Sequence, residues 1–129
     1  MVTTAYLDTS AAMKLLVAEA ETAALRSELG SSPRRLAASW LLHTELHCAA
    51  GRNPAVIPVA AVAAVLDAVY LVDLTRGDLL AAGAHAPLRS NDAIHLATAL
   101  RLGADELLTY DSKLAKAATA VGLRVVAPA

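Results

Sequence analysis

The sequence predicts an α/β fold in which a parallel sheet is covered by helices on both faces. Short apolar runs alternate along the chain with longer segments whose apolar residues recur at helical spacing. The runs are apolar throughout, as expected for strands that are buried on both faces of a parallel sheet. No internal repeat and no long linker divides the 129 residues, a length that suits one domain.

Five short runs are predicted as strands, because each is rich in apolar residues and is followed or preceded by turn or helix signals. The predicted strands are residues 4–8, 35–39, 71–74, 106–111 and 123–127.

The segments between these strands have helical patterns. Residues 10–32 are predicted as one helix or two, closing at Gly30. In the helix predicted over residues 90–103, Ser90 is the expected N-cap and Gly103 lies past the end. Further helices are predicted over residues 40–53, 60–70, 76–86 (stopped by Pro87) and 112–122.

The composition limits the function classes. With 57% hydrophobic residues the chain is no disordered segment, and its formal net charge of −1 does not indicate nucleic-acid binding through bulk charge. If the partner is RNA, local cations or a bound metal must supply the attraction. The lone Cys48 excludes an internal disulfide, fits a reducing compartment and is predicted to be buried.

The N-terminus does not have the pattern of a secretory signal. The longest apolar stretch, residues 54–72, contains two prolines and Asp67, so a helix packed on the core or on a sister subunit is predicted and not a membrane span. A cytoplasmic location is expected.

The stretch "HTELH", residues 43–47, resembles a metal site. On a helix His43 and His47 share one face, whereas Glu45 points about 200° away from His43. The stretch can therefore offer a metal either two imidazoles or one carboxylate. A zinc site is disfavoured, because the zincin pattern H-E-x-x-H places its Glu directly after the first His, and His85 and His95 lie on other segments.

Four acidic residues are expected near one edge of the sheet. Asp8 and Asp111 each end a strand and lead into a helix, so in a parallel sheet they stand at the same edge, where ligands bind in such folds. Asp92 lies in the first turn of its helix and Glu45 about a turn and a half inside another. Each Asp taken singly is more commonly a helix cap or a favourable charge at a helix start.

Taken together, the contexts "YLDTSA", "LLHTEL", "LRSNDAIHLATAL" and "LLTYDSKLAKAA" resemble the PIN-domain ribonucleases, and most of all the VapC toxins of bacterial type II toxin–antitoxin systems. The resemblance covers essentially the whole chain. It implies one PIN domain over residues 1–129, a central parallel sheet of about five strands, and metal-dependent cleavage of RNA. It also implies that Asp8, Glu45, Asp92 and Asp111 form the acidic cluster, so that the carboxylate of "HTELH" is the element that faces the metal.

The resemblance further implies supporting hydroxyl groups at Thr9 or Ser10 and at Thr109. Asp8 and Asp92 are the first choices for direct ligands, while Glu45 and Asp111 bind the ion or hold its waters. All-oxygen ligands suit Mg²⁺ or Mn²⁺. The cation orients or deprotonates a water for attack on phosphorus, which predicts products with a 5′-phosphate and a 3′-hydroxyl.

The sequence departs from the family pattern at two positions. Lys113 stands where some relatives carry another acid, which puts a second tightly bound metal ion in doubt. Asn91 stands where the family often has an apolar residue, and it either contacts the site or faces solvent. Lys14, one turn after Ser10, either faces the site or is a solvated lysine. His95 shares a helix face with Asp92 and is expected to be a partly buried structural residue that can bond an acidic ligand.

Other classes fit the sequence less well. A receiver domain requires paired acids after its first strand, and a haloacid-type phosphatase requires D-x-D there, whereas this chain has "DTS". A PIN nuclease of RNA processing without an antitoxin, and a non-catalytic metal-binding interaction domain, remain as alternatives.

The resemblance also implies partners. These are a VapB-type antitoxin that blocks the acidic site, a second copy of the chain in a homodimer, and larger toxin–antitoxin hetero-oligomers. The helix of residues 60–70 and the apolar segment of residues 10–17 are the candidate contact surfaces. For RNA contact, the candidate cations are Arg34, Arg35, Arg52 and Arg89.

Overall fold

Five parallel strands form one sheet in the computed structural model, which describes residues 2–129. The strands lie in the order β3-β2-β1-β4-β5, and every neighbouring pair is parallel. The parallel sheet predicted from the apolar runs is therefore confirmed. The strands are β1 (Thr3–Leu7), β2 (Arg34–Ser39), β3 (Tyr70–Val72), β4 (Glu106–Leu108) and β5 (Arg124–Val126).

Helices connect these strands and cover the sheet. Right-handed crossovers place the helices before β3 on one face and those after β3 on the other. The packing agrees, since α1 contacts α3 and α4, whereas α6 contacts α5 and α7. Their bounds are α1 (Thr9–Leu16), α2 (Thr22–Ser31), α3 (Trp40–Arg52), α4 (Val59–Asp67), α5 (Arg76–Ala82), α6 (Ser90–Arg101) and α7 (Ser112–Ala120).

Several predicted boundaries were wrong. The strand predicted over residues 106–111 ends at Leu108, and the helix predicted over residues 76–86 ends at Ala82. Helix α2 continues through Gly30 to Ser31, and Gly30 does not have the positive φ of a glycine that ends a helix. Arg89, not Ser90, is the N-cap of α6, since the chain is extended only as far as Arg89. Tyr70 belongs to β3 and pairs with Ala37, in line with the preference of aromatic residues for strands. Gly103 does end α6 with a positive φ of 64°.

The burial pattern of α3 overturns one prediction. Its buried positions are Leu42, Leu46, Ala49 and Ala50, which form one apolar stripe at helical spacing. Cys48 lies outside that stripe and is exposed, so the prediction of a buried thiol was wrong. None of the helices in residues 2–129 is long and apolar enough to span a bilayer.

The chain order in the sheet reverses at β1. From β1 the chain moves outward to β2 and β3 and then returns to the other side of β1 as β4. The ends of β1 and β4 are level, because Leu7 pairs with Leu108 and the Asp8 N–H donates to the Leu108 carbonyl at 3.2 Å. Such a reversal opens a crevice beyond the carboxyl ends of the strands, where ligands of doubly wound folds bind.

The opposite, amino end of the sheet holds a buried ion pair between Arg34 and Glu106. Arg34 begins β2 and Glu106 begins β4, and Arg34 also reaches Glu28 at 3.5 Å. Arg34 is therefore committed to the fold and does not stand near the acidic edge.

Two other arginines proposed for RNA contact also lie away from that edge. Arg35 is the second residue of β2 and pairs with Thr4 at the amino end of the sheet. Arg52 is the last residue of α3, whose first turn begins at the carboxyl edge. Only Arg89 of the four predicted arginines stands at the start of a helix that carries one of the acids, Asp92.

Replacing Arg34 tests its structural role. Arg34→Met should lower the free energy of unfolding by about 3 kcal/mol, because Glu106 would remain buried without its closest charge partner. Arg35→Met is the matched control and should change stability by no more than about 0.5 kcal/mol, since Arg35 is exposed. Urea denaturation measures both, and equal losses would contradict this assignment.

Candidate active site

Asp8 lies at the carboxyl end of the central strand and is only 2% exposed. It is the N-cap of α1 and accepts a hydrogen bond from the Ala11 N–H at 2.9 Å. Its carboxylate also accepts from Ser10 Oγ at 2.8 Å and from Thr109 Oγ1 at 2.7 Å. Burial raises the pKa of Asp8, and these hydrogen bonds oppose the rise only in part.

Ser10 and Thr109 tie the ends of β1 and β4 together around this carboxylate. Their hydroxyl groups are 3.2 Å apart, and Ser10 Oγ accepts from the Tyr110 N–H at 2.9 Å. Thr109 Oγ1 also accepts from the Asp111 N–H at 3.1 Å. A simple helix cap needs none of these bonds, so Asp8 is held as part of a larger polar arrangement.

Glu45 is the centre of a second arrangement. Its Oε1 accepts from Thr9 Oγ1 at 2.7 Å and from His95 Nε2 at 2.6 Å, and Asn91 Nδ2 lies 3.4 Å from Oε2. Burial tends to raise the pKa of Glu45, but the bonds from His95 and Thr9 outweigh it, so the pKa is lowered. Glu45 is thus stabilised as a carboxylate.

The protons of this network can be assigned from its partners. Tyr6 Oη accepts from the Ser39 N–H at 3.0 Å, so its own proton is free to bond His95 Nδ1 at 2.7 Å. His95 then carries its proton on Nε2 and donates it to Glu45. Burial raises the pKa of Tyr6 to about 12, which keeps the phenol protonated. Tyr6 and His95 therefore hold Glu45 in one orientation.

Asp92 and Asp111 lie half-buried at the starts of α6 and α7. Asp111 is the N-cap of α7 and accepts from the Leu114 N–H at 2.9 Å. Burial raises the pKa of Asp92, and the negative charges of Asp111 and Glu45 raise it further. These carboxylates are close enough to repel one another.

The structure thus brings Asp8, Ser10 and Thr109 into one contact cluster and Thr9, Glu45, Asn91 and His95 into another. Asp92 interacts with Asp111 and Glu45 through charge repulsion and not through hydrogen bonds. Within residues 2–129, no three His, Cys, Asp or Glu side chains are placed so that together they could hold a metal ion. The acids therefore do not form a closed cage.

The donor chemistry nevertheless fits a hard divalent cation. The four acids and the hydroxyl groups beside them offer only oxygen, and mutual repulsion is the penalty that a cation relieves. Mg²⁺ keeps several waters and is commonly held by one or two carboxylates, so an open site suits it better than it suits a structural Zn²⁺.

The other predicted polar residues have different roles. His43 and His47 stack on each other with ring centres 4.2 Å apart, and Trp40 packs on His43 at 5.2 Å, on the side of α3 away from Glu45. The carboxylate of "HTELH" is therefore the group that faces the acidic edge. Lys14 pairs with Glu19 and Glu21, both at 3.2 Å, and its ammonium lies 5.1 Å from the centre of the Tyr110 ring.

Sequence reasoning missed Tyr6 and Ser39. Tyr6 is the one aromatic residue in an otherwise small and aliphatic strand, two positions before Asp8. Ser39 ends β2 and caps α3 by accepting from the Leu41 N–H at 3.2 Å. A lone aromatic hydroxyl in a buried strand indicates a polar partner, and here the partners fix the start of α3 and the orientation of Glu45.

A doubly wound parallel sheet with acidic side chains at its switch point defines the class of this protein. Residues 5–120 match the PIN domain family model. The chain therefore belongs to the PIN-domain family, within its VapC branch, as its relatives show.

Three curated relatives come from Mycobacterium tuberculosis, and each alignment covers 95% of this chain and 96% of the relative. They are Ribonuclease VapC46 at 38% identity, Ribonuclease VapC35 at 41% and Ribonuclease VapC47 at 33%.

Two solved structures share the fold. A toxin–antitoxin complex from Klebsiella pneumoniae contains a chain with a TM-score of 0.74 and 22% identity, covering 97% of this chain and 98% of that one. The crystal structure of VapC20 from Mycobacterium tuberculosis, described as a toxin that cleaves the sarcin–ricin loop, has a TM-score of 0.72 and 18% identity, covering 96% and 99%.

The role of Tyr6 can be tested by removing its hydroxyl group alone. Tyr6→Phe should lower the free energy of unfolding by about 1–3 kcal/mol, because the Ser39 N–H and His95 Nδ1 would both lose a buried partner. Tyr70→Phe is the control, since Tyr70 is 67% exposed. The two variants are compared by urea denaturation, and an equally small effect of both would contradict the proposed network.

The repulsion at Asp92 predicts a pH-dependent stability. The folded pKa of Asp92 lies above its unfolded value, so the ionised side chain destabilises the fold fully at pH values above the folded pKa. This destabilisation decreases as the pH falls below the folded pKa and is absent below the unfolded pKa. In EDTA, Asp92→Asn should therefore raise the melting temperature at neutral pH, with a gain that shrinks toward acidic pH.

Asp73→Asn is the control for this experiment, because Asp73 is exposed. Its melting temperature should follow that of the wild type across the pH range. A gain for Asp92→Asn that grew toward acidic pH would show that the sign of the interaction is wrong.

Proposed function

We propose that this protein is the toxin component of a type II toxin–antitoxin module and acts as a Mg²⁺- or Mn²⁺-dependent endoribonuclease. The observation that carries the proposal is the position of Asp8, Glu45, Asp92 and Asp111 around the carboxyl edge of the sheet. Support comes from three curated relatives named ribonucleases at 33–41% identity over 95% of the chain. Residues 1–129 act as one PIN domain in this proposal.

The side chains prepare the site for a cation and a phosphate. Asp8 is held rigidly by Ser10 and Thr109, and Asp92 stands in the first turn of α6, so these two remain the first choices for direct ligands. A bound divalent cation would supply an activated water and would stabilise the leaving oxygen of the phosphodiester. Glu45, kept ionised by His95 and Thr9, and Asp111 would bind the ion or orient its waters.

The partner proposal is an antitoxin of the VapB type, together with a second copy of the chain. The Klebsiella pneumoniae structure is a toxin–antitoxin complex, and a further neighbour is VapBC2 from Rickettsia felis, bound to a DNA fragment from its promoter. Of the two candidate contact surfaces, residues 10–17 lie largely in the core, where Ala11 and Ala12 are fully buried. The segment of residues 60–70 is the better candidate, because Ala63 and Ala64 are exposed and Tyr70 is 67% exposed. Val56 and Val59, which are 59% and 65% exposed, adjoin this surface.

The decisive experiment is cleavage of total cellular RNA by the purified protein without antitoxin. Wild type in Mg²⁺ or Mn²⁺ should give discrete fragments with 5′-phosphate and 3′-hydroxyl ends, and EDTA should abolish them. Asp8→Asn should reduce the cleavage rate by about 100-fold or more, because an amide is a poor substitute for a carboxylate at a metal site. Asn remains a good N-cap, so α1 should still form.

Asp67→Asn is the activity control and should cleave at the wild-type rate, because Asp67 is exposed at the end of α4, away from the acidic edge. Fragments with 2′,3′-cyclic phosphate ends would exclude attack by water, because they arise from the ribose 2′-hydroxyl. Cleavage that survives both EDTA and Asp8→Asn would place the activity elsewhere. Intact RNA under every condition would favour the non-catalytic interaction domain.

A further inference from the structure

A groove with two lysines runs beside the acidic edge. One wall is the loop of Pro87 and Leu88 before α6, and the other is the face of α7 that carries Lys113, Lys116 and Ala117. The cavity has a volume of about 410 Å³, within the range of natural ligand sites. We call it the lysine groove.

The lysine groove begins where the acidic residues end. Lys113 lies two residues after Asp111, in the first turn of α7. On the opposite wall, Leu88 precedes Arg89, the N-cap of α6, and Asp92 follows three residues later. Both walls therefore start at helix termini that carry acids of the candidate active site.

The cations of this groove are available to a ligand. Among residues 2–129, neither Lys113 nor Lys116 forms an ion pair with an acidic side chain, and both are exposed. Other cations are already paired within the fold, namely Lys14, Arg34, Arg101 and Arg124. The lysine groove thus places free positive charge next to a site whose four carboxylates repel phosphate.

We propose that the lysine groove binds the RNA strand next to the phosphodiester that is cleaved. The ammonium groups of Lys113 and Lys116 contact backbone phosphates, while Pro87, Leu88 and Ala117 provide an apolar surface for a ribose or base. The lysine groove thus combines two cations with an apolar surface, and a nucleotide chain offers phosphates for the first and sugars or bases for the second. This inference rests on the proposed ribonuclease function and names the surface that receives its substrate.

The test measures how RNA binding depends on salt. The probe is a fluorescent single-stranded RNA of mixed sequence, and its binding in EDTA is followed by anisotropy between about 50 and 200 mM KCl. For Lys113→Gln/Lys116→Gln, the slope of log affinity against log salt should be smaller in magnitude by about 1.4, since each phosphate contact on a single strand contributes about 0.7. Its affinity at the lowest salt should fall about tenfold or more.

The matched control is Arg35→Gln/Arg52→Gln, which removes the same charge from exposed positions away from the acidic edge. Its slope should equal that of the wild type. An unchanged slope in the lysine variant, or an equal reduction in both variants, would overturn the proposal.

The cleavage assay keeps this test separate from the proposed function. If the wild type cleaves RNA and the lysine variant binds and cleaves like it, the ribonuclease function stands and the lysine groove is excluded as its RNA surface. If the wild type neither cleaves nor binds RNA, the proposed function itself fails, and the groove proposal fails with it.

Discussion

The site depends on the burial of the Asp8 carboxylate at the end of the central strand, which by itself is unfavourable. A carboxylate that is 2% exposed persists only if hydrogen bonds replace the water that it has lost. Ser10 and Thr109 supply those bonds from the two chain segments that follow β1 and β4, while the Ala11 N–H supplies one from α1. The buried Asp8 carboxylate thereby joins β1 and β4, the two strands between which the chain order reverses.

Glu45 is stabilised as an anion, in contrast to Asp8 and Asp92. Asp8 and Asp92 have raised pKa values because burial and, at Asp92, neighbouring negative charge outweigh their stabilising contacts. Glu45 has a lowered pKa because His95 and Thr9 stabilise its charge. The edge therefore contains carboxylates that are penalised for ionising beside one that is held ionised. Ionising Asp8 and Asp92 beside the other acids costs free energy, and a bound divalent cation would offset that cost.

The sequence predicted the parallel sheet and the acids at its edge because both follow from simple periodicities. An apolar strand followed by Asp and a helix places that Asp at the carboxyl edge, whatever the remaining packing is. The predictions of side-chain contacts failed where a long side chain had more than one partner within reach. Lys14 pairs with Glu19 and Glu21, and helical periodicity does not predict which acids a lysine will contact. Cys48 was misjudged because its neighbours in sequence are apolar, although the buried stripe of α3 bypasses it.

The same limit explains why the cations were assigned to the wrong edge. Arg34, Arg35 and Arg52 are prominent in the sequence, but a basic residue attracts RNA only if it is unpaired and lies on the right side of the sheet. Arg34 forms an ion pair with Glu106 at the amino end of the sheet, and this pair links the first residues of β2 and β4. Lys113 and Lys116 meet both conditions, because the helix on which they lie begins at Asp111. In a chain with a net charge of −1, unpaired cations that lie beside the acidic edge are the ones placed to draw a polyanion toward the acids.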